Sequence, residues 1–176
     1  MSEQKAKKRF APIQSESKHR VEEQKRESIP TIFLVMSTCG LASGAAETKQ
    51  AFEEALSEKS IAARIVPVGC IGHCYAEPVV VIDHPDSGFP PIFYHNVTPG
   101  KARMLVKSFL EEGDPVFEHV LGAMEENDLV PSVMDFPRFN SEERIVLEKC
   151  GHMNPDEIDE YIALEGYSTF INVIHE

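Results

Sequence analysis

The sequence predicts a fold of the α/β class, in which a mixed sheet packs against helices. Three observations lead to this prediction. An apolar run at 31–36 precedes an amphipathic helical pattern and a second short strand at 62–67. Two further apolar runs, at 79–83 and 92–97, are separated by "HPDSGFPP", whose residues supply turn dihedrals. A last amphipathic helix follows Pro99, where a missing N–H costs nothing.

Each element has a local physical reason. The run "TIFLVM" lacks alternation, which is typical of a strand that is buried on both faces. In the predicted helix 45–59, Phe52, Ala55 and Leu56 have the spacing of one helix face. Gly113 ends the last helix. The order β-α-β, β-hairpin, α is that of a thioredoxin-like sandwich, to which the C-terminus adds a short helical segment.

Four regions follow from this pattern. Residues 1–29 form a charged N-terminal segment, with eight Lys or Arg against five Glu in 1–30, and are either a helix or a disordered lead-in. Residues 30–113 form the thioredoxin-like domain, and 114–140 an extended linker. Residues 141–176 are predicted to be helical, with "SEERIVLEKC" as one helix and Asn154 capping another in which Ile158, Tyr161 and Ile162 share a face.

Composition limits the classes of function. The chain has 176 residues and a formal net charge of −12, and an acidic body disfavours nucleic-acid binding. No apolar run approaches the roughly 20 residues of a transmembrane helix, so direct membrane insertion is not expected. The N-terminus lacks the apolar stretch of a secretory signal. We therefore predict a cytoplasmic location, free or at the periphery of a membrane complex.

Cysteines carry the chemistry that the sequence suggests. Cys70 and Cys74 lie in "GCIGHC", and Cys39 follows the first strand, so all three belong to loops at one end of the predicted sheet. Thiolates from loops bind iron–sulfur clusters, and these three are the predicted metal ligands. Zinc with His73, a thioredoxin-type dithiol and simple buried cysteines remain alternatives. Cys150 is expected to pack as a small apolar group.

The other polar residues near the cysteines do not indicate catalysis. We expect the His73 side chain to be exposed within its turn, and Glu77 to be solvated or to anchor the loop. No Ser/His/Asp motif has supporting context, and no carboxylate pair is placed for acid–base chemistry. The sequence thus names no catalytic residue.

The segments "TCGLASGA", "VGCIGHCYAEPVVVI" and "FYHNVTP" together resemble the thioredoxin-like [2Fe–2S] ferredoxin domain. That domain occurs in flavoprotein-associated subunits of complex I-type NADH dehydrogenases and NAD(P)-linked hydrogenases. The tail, from "FPRFNSEERIVLEKCG" to "EYIALEGY", resembles the start of the NADH- and FMN-binding flavoprotein subunit. The resemblance implies a cytoplasmic electron-transport module of an oxidoreductase, which relays electrons through a [2Fe–2S] cluster near FMN. Its partners would be other subunits of such a complex.

Carried over residue by residue, Cys70 and Cys74 match the family's second ligand pair. The first pair falls near Val35 and Gly40, and Cys39 is one residue away from the second of these positions. Either Cys39 takes that role with a fourth ligand other than cysteine, or the domain is a cluster-less docking module. A free-standing thiol-redox protein is the weaker alternative. FMN and NAD are expected only in a region beyond residue 176 or in a partner subunit, so catalysis by this chain alone is left open.

Overall fold

A computed structural model describes residues 3–173 and contains a five-stranded mixed sheet in the order β2-β1-β3-β4-β5. β1 pairs with β2 in parallel, while β3, β4 and β5 each pair antiparallel to the preceding neighbour in the sheet. The strands are β1 Thr31–Val35, β2 Arg64–Val68, β3 Val80–Asp83, β4 Ile92–Tyr94 and β5 Val120–Ala123. The first four have the order and directions of a thioredoxin-like sheet, so the predicted fold class is confirmed.

Helices occupy most of the predicted positions. They are α1 Glu3–Arg26, α2 Thr38–Ala42, α3 Ala45–Lys59, α4 Pro99–Leu105, α5 Pro137–Ser141, α6 Ile158–Ala163 and α7 Ser168–Val173. α4 continues as a π-helical stretch, Val106–Glu111. Thr98 caps α4 by accepting a hydrogen bond from the Lys101 N–H at 3.4 Å. Gly113 follows the helical stretch in the left-handed region, as the sequence predicts.

α3, α4 and its π-helical continuation cover one face of the sheet. Alternate strand residues such as Ile32, Leu34 and Ile82 point toward these helices and are fully buried. Phe52, Ala55 and Leu56 of α3 are buried in the same cluster, as the helical spacing predicts. Two polar groups on this side form hydrogen bonds: Thr48 donates to the Val97 carbonyl at 2.6 Å, and Tyr94 donates to the Pro115 carbonyl at 2.8 Å.

The opposite face of the sheet has an irregular cover. Val35, Val81 and Phe93 pack there against Val133 and Phe136, which lie in a 3₁₀ turn and the residue that follows it. The prediction of an extended linker at 114–140 is therefore wrong for this stretch. The strand β5 was not predicted because it contains Gly122 and is only four residues long, too short for a clear strand pattern.

The C-terminal helices also differ from prediction. Residues 142–152 form turns rather than a helix, and α6 begins at Ile158 instead of directly after Asn154. Asn154 accepts a hydrogen bond from the Asp156 N–H at 3.0 Å. Ile162 is buried, whereas Ile158 and Tyr161 are exposed, so the three do not share a buried face.

The chain divides into two compact units. The larger is Ile29–His152, and the smaller combines the described parts of Met1–Ser28 and Met153–Glu176. In the smaller unit α1 packs against α6 and α7, so Glu3–Arg26 of the charged N-terminal segment form a helix, and residues 1–2 lie outside the described residues. Ser17 and Arg20 both donate to the Asp159 carboxylate, at 2.7 and 3.0 Å. No helix within residues 3–173 is both long and apolar enough to cross a bilayer.

Pro67 marks the edge of the sheet at β2. The Arg64 N–H donates to the Pro30 carbonyl, so alternate residues 64, 66 and 68 turn their backbone groups toward β1. Pro67 therefore lies on the outward side, where its missing N–H leaves a gap in the free edge of the strand.

Candidate functional site

Two segments that leave parallel strands carry the candidate cysteines. Val35 at the end of β1 lies opposite Val68 at the end of β2. The segments that follow β1 and β2 therefore leave the sheet at the same edge, as the sequence predicts. Cys39 lies four residues beyond β1, but on the short helix α2 rather than in a loop, and its side chain is exposed. Cys70 is half-buried and Cys74 is exposed, both in the turn after β2.

Backbone geometry defines the Cys70–Cys74 turn. Gly72 has a φ of +89°, a conformation that side chains other than glycine's rarely adopt. Its N–H donates to the Cys70 Sγ at 3.1 Å. The Ala76 N–H donates to the His73 carbonyl at 2.8 Å and closes a 3₁₀ turn. A backbone N–H directed at a sulfur is a favourable arrangement for a thiolate.

Two arginines from the α5 region cover this turn, and sequence analysis did not identify them. Arg138 donates to the Gly72 carbonyl, and Arg144 donates to the Ile71 carbonyl at 2.6 Å. Glu142 accepts from both guanidinium groups, and the Arg138 hydrogen bond is the main cause of the lowered pKa of Glu142. The Arg144 guanidinium also lies 4.5 Å from the centre of the Phe139 ring. No local sequence signal links residues this distant in the chain.

His73 lies in the interior, contrary to the expected exposed side chain. It is 2% exposed, and its ring meets those of Tyr75, Phe136 and Phe139 edge-on at centroid distances of 4.9–5.6 Å. Burial lowers the pKa of His73, and the positive charges of the two arginines lower it further. The neutral imidazole thus acts as part of an aromatic cluster beneath the turn.

Glu77 is the second buried titratable group at this edge. It is 5% exposed, its Oε2 accepts from the Val79 N–H at 2.8 Å, and its Oε1 has no hydrogen-bond partner within the described residues. Burial raises the pKa of Glu77, and the Val79 hydrogen bond opposes that change. Of the two roles expected for Glu77, the structure shows the loop anchor.

The family's first-loop ligand positions serve packing in this chain. Val35 is fully buried in the core of the second sheet face. A Cβ atom at Gly40 would overlap the Val35 carbonyl oxygen and would lie 3.3 Å from the Glu77 Oε2. Backbone cannot move aside as a flexible side chain can, so position 40 excludes any side chain, including that of cysteine.

The remaining donors do not form a ligand group. Across residues 3–173, no three His, Cys, Asp or Glu side chains are close enough together to hold one metal ion. The four cysteines are free, and Cys150 packs beside Gly69, as predicted for a small apolar group. A [2Fe–2S] cluster in this fold requires four thiolates or substitutes for them. The residues of this chain therefore do not fit the four-thiolate cluster, although the turn keeps the half-buried Cys70 and the exposed Cys74.

A curated protein is similar to part of this chain. The chain is 29% identical over 82 residues, 46% of its length, to the NADP-reducing hydrogenase subunit HndB of Solidesulfovibrio fructosivorans. The predicted resemblance to NAD(P)-linked hydrogenase subunits is confirmed. The chain spans 64% of the length of that relative. No protein-family model matches the chain.

Solved structures give a second set of similarities. Wild-type thioredoxin-like [2Fe–2S] ferredoxin from Aquifex aeolicus is 26% identical, with a TM-score of 0.45 over 53% of this chain and 97% of that one. Another structure of a thioredoxin-like [2Fe–2S] ferredoxin from the same organism is 24% identical, with a TM-score of 0.46 over 58% and 98%. The thioredoxin-like architecture of our chain is established by its own strand order and directions.

Proposed function

We propose that this chain is a module of electron-transfer machinery, a subunit of an NAD(P)-linked hydrogenase or dehydrogenase complex. The observation that carries the proposal is the similarity to HndB, a subunit of an NADP-reducing hydrogenase. The thioredoxin-like sheet with two cysteines in the turn after β2 agrees with the family resemblance of the sequence. FMN, NAD(P) and the chemistry of hydride transfer would belong to partner subunits or to a further region of the polypeptide.

Within such a complex, the geometry best supports docking without a resident cluster. Val35 and Gly40 occupy the two first-loop ligand positions with core packing. In the middle of the cysteine turn, Arg138 donates to the Gly72 carbonyl and Arg144 donates to the Ile71 carbonyl. These contacts fix the turn without metal, so the surface around it can serve as a preformed recognition element.

Isolation of the tagged full chain from its native host tests membership in a complex. We expect NADH- or NADPH-dependent reduction of methyl viologen to co-purify with the chain. Absence of both activities from a preparation that contains intact chain would contradict the proposal. A tagged, unrelated acidic protein of similar size serves as the control for non-specific retention.

A triple variant tests the docking role separately. Cys39→Ser/Cys70→Ser/Cys74→Ser should leave folding, iron content and co-purification unchanged, because none of these thiols takes part in the arginine contacts that hold the turn, and a serine hydroxyl at position 70 can still accept from the Gly72 N–H. Cys150→Ser is the matched control outside the candidate set. Loss of the complex in the triple variant alone would refute cluster-less docking.

A second candidate function is a one-electron relay through a [2Fe–2S] cluster held by this chain. The Gly72 N–H directed at Cys70 and the exposed Cys74 favour it. Anaerobic reconstitution followed by EPR and by iron and sulfide assay would measure cluster content. About one cluster per chain, lost in Cys70→Ser and retained in Cys150→Ser, would establish the relay and displace the docking role.

A further inference from the structure

The smaller unit exposes a set of large apolar side chains. They are 43–62% exposed and recur every third residue along α6, the following turn and α7. We call this set the C-terminal patch; its members are Ile158, Tyr161, Leu164, Tyr167, Phe170 and Val173. Residues three apart on a helix are neighbours on its surface. Exposed apolar clusters of this kind mark interaction sites more often than isolated exposed residues do.

The two halves of the patch touch each other. The rings of Tyr161 and Tyr167 meet edge-on with centroids 5.0 Å apart. Gly166 makes this contact possible, because a Cβ atom there would overlap the Tyr161 ring and carbonyl. The patch is therefore continuous from α6 to α7.

The helix α1 does not cover the patch. The hydrogen bonds that join α1 to this segment involve other residues: Ser17 and Arg20 bind Asp159, and Gln14 donates to Ser168 at 3.5 Å. Ile162, between the patch residues Tyr161 and Leu164, is the one that becomes buried. The patch thus remains open after the internal contacts of the unit have formed.

The charged side chains that α6, α7 and the turns beside them contribute are acidic. The sequence from Gly151 to Glu176 contains no Lys or Arg. Asp156, Glu157 and Glu165 are exposed and form no ion pair within residues 3–173. A partner that presents Lys or Arg around an apolar centre complements this surface. An anionic bilayer does not, because it attracts basic rather than acidic segments.

A second copy of the chain is a poorer match. α1 supplies the basic residues, but its exposed side carries one large exposed apolar residue among those described, Ile13. That surface has the charge to complement the patch and lacks the apolar area. The α1 surface of a second copy therefore does not supply both properties.

We propose that the C-terminal patch docks an apolar surface rimmed by Lys and Arg on another subunit of the electron-transfer complex. This inference rests on the proposed function, since it assigns the surface through which the chain joins that complex. The apolar side chains provide the contact area, and the acidic rim orients the partner. The patch lies apart in sequence from the cysteine turn, so the two surfaces can be altered independently.

The tagged full chain in its native host provides the test. Ile158→Ser/Phe170→Ser removes two of the more exposed members of the patch with little effect on the interior. We expect the co-purifying NAD(P)H–methyl viologen activity to fall by about tenfold or more, the size of effect that interface anchors show. Val146→Ser, which removes a 91% exposed apolar side chain of the larger unit, should leave it unchanged.

The outcomes distinguish the two proposals. If the wild-type chain recovers no activity, the proposed function fails and the docking surface fails with it. If wild type and Ile158→Ser/Phe170→Ser recover equal activity, the assignment of the patch alone is overturned, and membership in the complex stands.

The charge of the partner is tested by a second variant. Glu157→Lys/Glu165→Lys should weaken recovery of the activity, and raising the salt concentration should weaken recovery by the wild type. Equal recovery by wild type and charge variant would remove the basic rim from the proposal. A homodimer in light scattering that Phe170→Ser dissociates, or binding of the chain to phosphatidylglycerol vesicles that Phe170→Ser abolishes, would replace the proposed partner.

Discussion

The two faces of the sheet are covered in different ways. On one face, α3 and α4 with its π-helical continuation pack regular helices against Ile32, Leu34 and Ile82. On the other face, turns and short segments from residues 124–136 lie over Val35, Val81 and Phe93. Both faces contain nearly fully buried apolar side chains, so burial of a residue such as Val35 does not require a regular cover.

The two faces differ in the kind of contact that holds their cover in place. The helical face presents a repeating pattern of side chains that fits the sheet along its whole length. The irregular face depends on single contacts between distant residues, such as Arg144 with the Ile71 carbonyl. The cysteine turn belongs to the irregular face, since Ile71 and Ala76 are buried in its apolar cluster. The following four predictions test this comparison.

The largest difference is expected between Phe109→Ala and Phe93→Ala. The same side chain is deleted on the helical face and on the irregular face, and both are buried, at 0% and 4% exposure. Phe109→Ala should lower the free energy of unfolding by about 4–5 kcal/mol, and Phe93→Ala by about 3 kcal/mol, because an irregular cover can close on the cavity more easily. Urea denaturation of both variants measures this. A larger loss for Phe93→Ala would reverse the comparison.

Gly40→Ala tests the close approach of α2 to β1. The added Cβ atom meets the Val35 carbonyl oxygen, so the backbone must shift. We expect a loss of about 3 kcal/mol in the free energy of unfolding, at the upper end of overpacking effects. Gly100→Ala is the matched control, since the nearest atom to its Cβ is the Thr98 Oγ1 at 3.9 Å. Equal stability of the two variants would show that α2 can move freely.

Arg144→Ala measures the arginine cover of the cysteine turn. The variant loses a charge-assisted hydrogen bond to the Ile71 carbonyl and the contact with the Phe139 ring. We expect a loss of about 1.5 kcal/mol and faster reaction of Cys70 with a thiol reagent. Arg103→Ala removes an exposed pair with Glu54 and should cost less than about 1 kcal/mol. Unchanged reactivity of Cys70 in Arg144→Ala would show that Arg144 does not shield this thiol.

The smallest effect concerns Glu77 and depends on pH. Burial raises the pKa of Glu77 in the folded state. Its stabilising contribution is therefore fully present below the unfolded pKa and is lost as the pH rises through the folded pKa. Glu77→Gln, which keeps an acceptor for the Val79 N–H, should gain stability relative to wild type as the pH rises above the unfolded pKa of about 4.3. A flat stability difference between Glu77→Gln and wild type over that range would contradict the prediction.

Prediction from sequence succeeded where one segment contained its own signal. The spacing of Phe52, Ala55 and Leu56 was enough to orient α3, and Gly113 was enough to end the helical stretch after α4. The position of Cys39 and Cys70 at one edge followed from the parallel pairing of two recognisable strands.

Prediction failed where the signal was divided between distant segments. His73 was expected at the surface because its neighbours suggest an open turn, but Phe136 and Phe139 cover it from more than sixty residues away. Arg138 and Arg144 were missed for the same reason. The exclusion of a side chain at Gly40 depends on the close approach of α2 to β1, which no residue pattern records.

Pro67 affects whether the edge strand β2 can pair with a strand of another chain. An open β-strand margin can recruit another chain and extend into fibrous assemblies. With an outward position that lacks an amide hydrogen, β2 offers an interrupted template for such growth. β2 is therefore a poor site for another strand to add to the sheet.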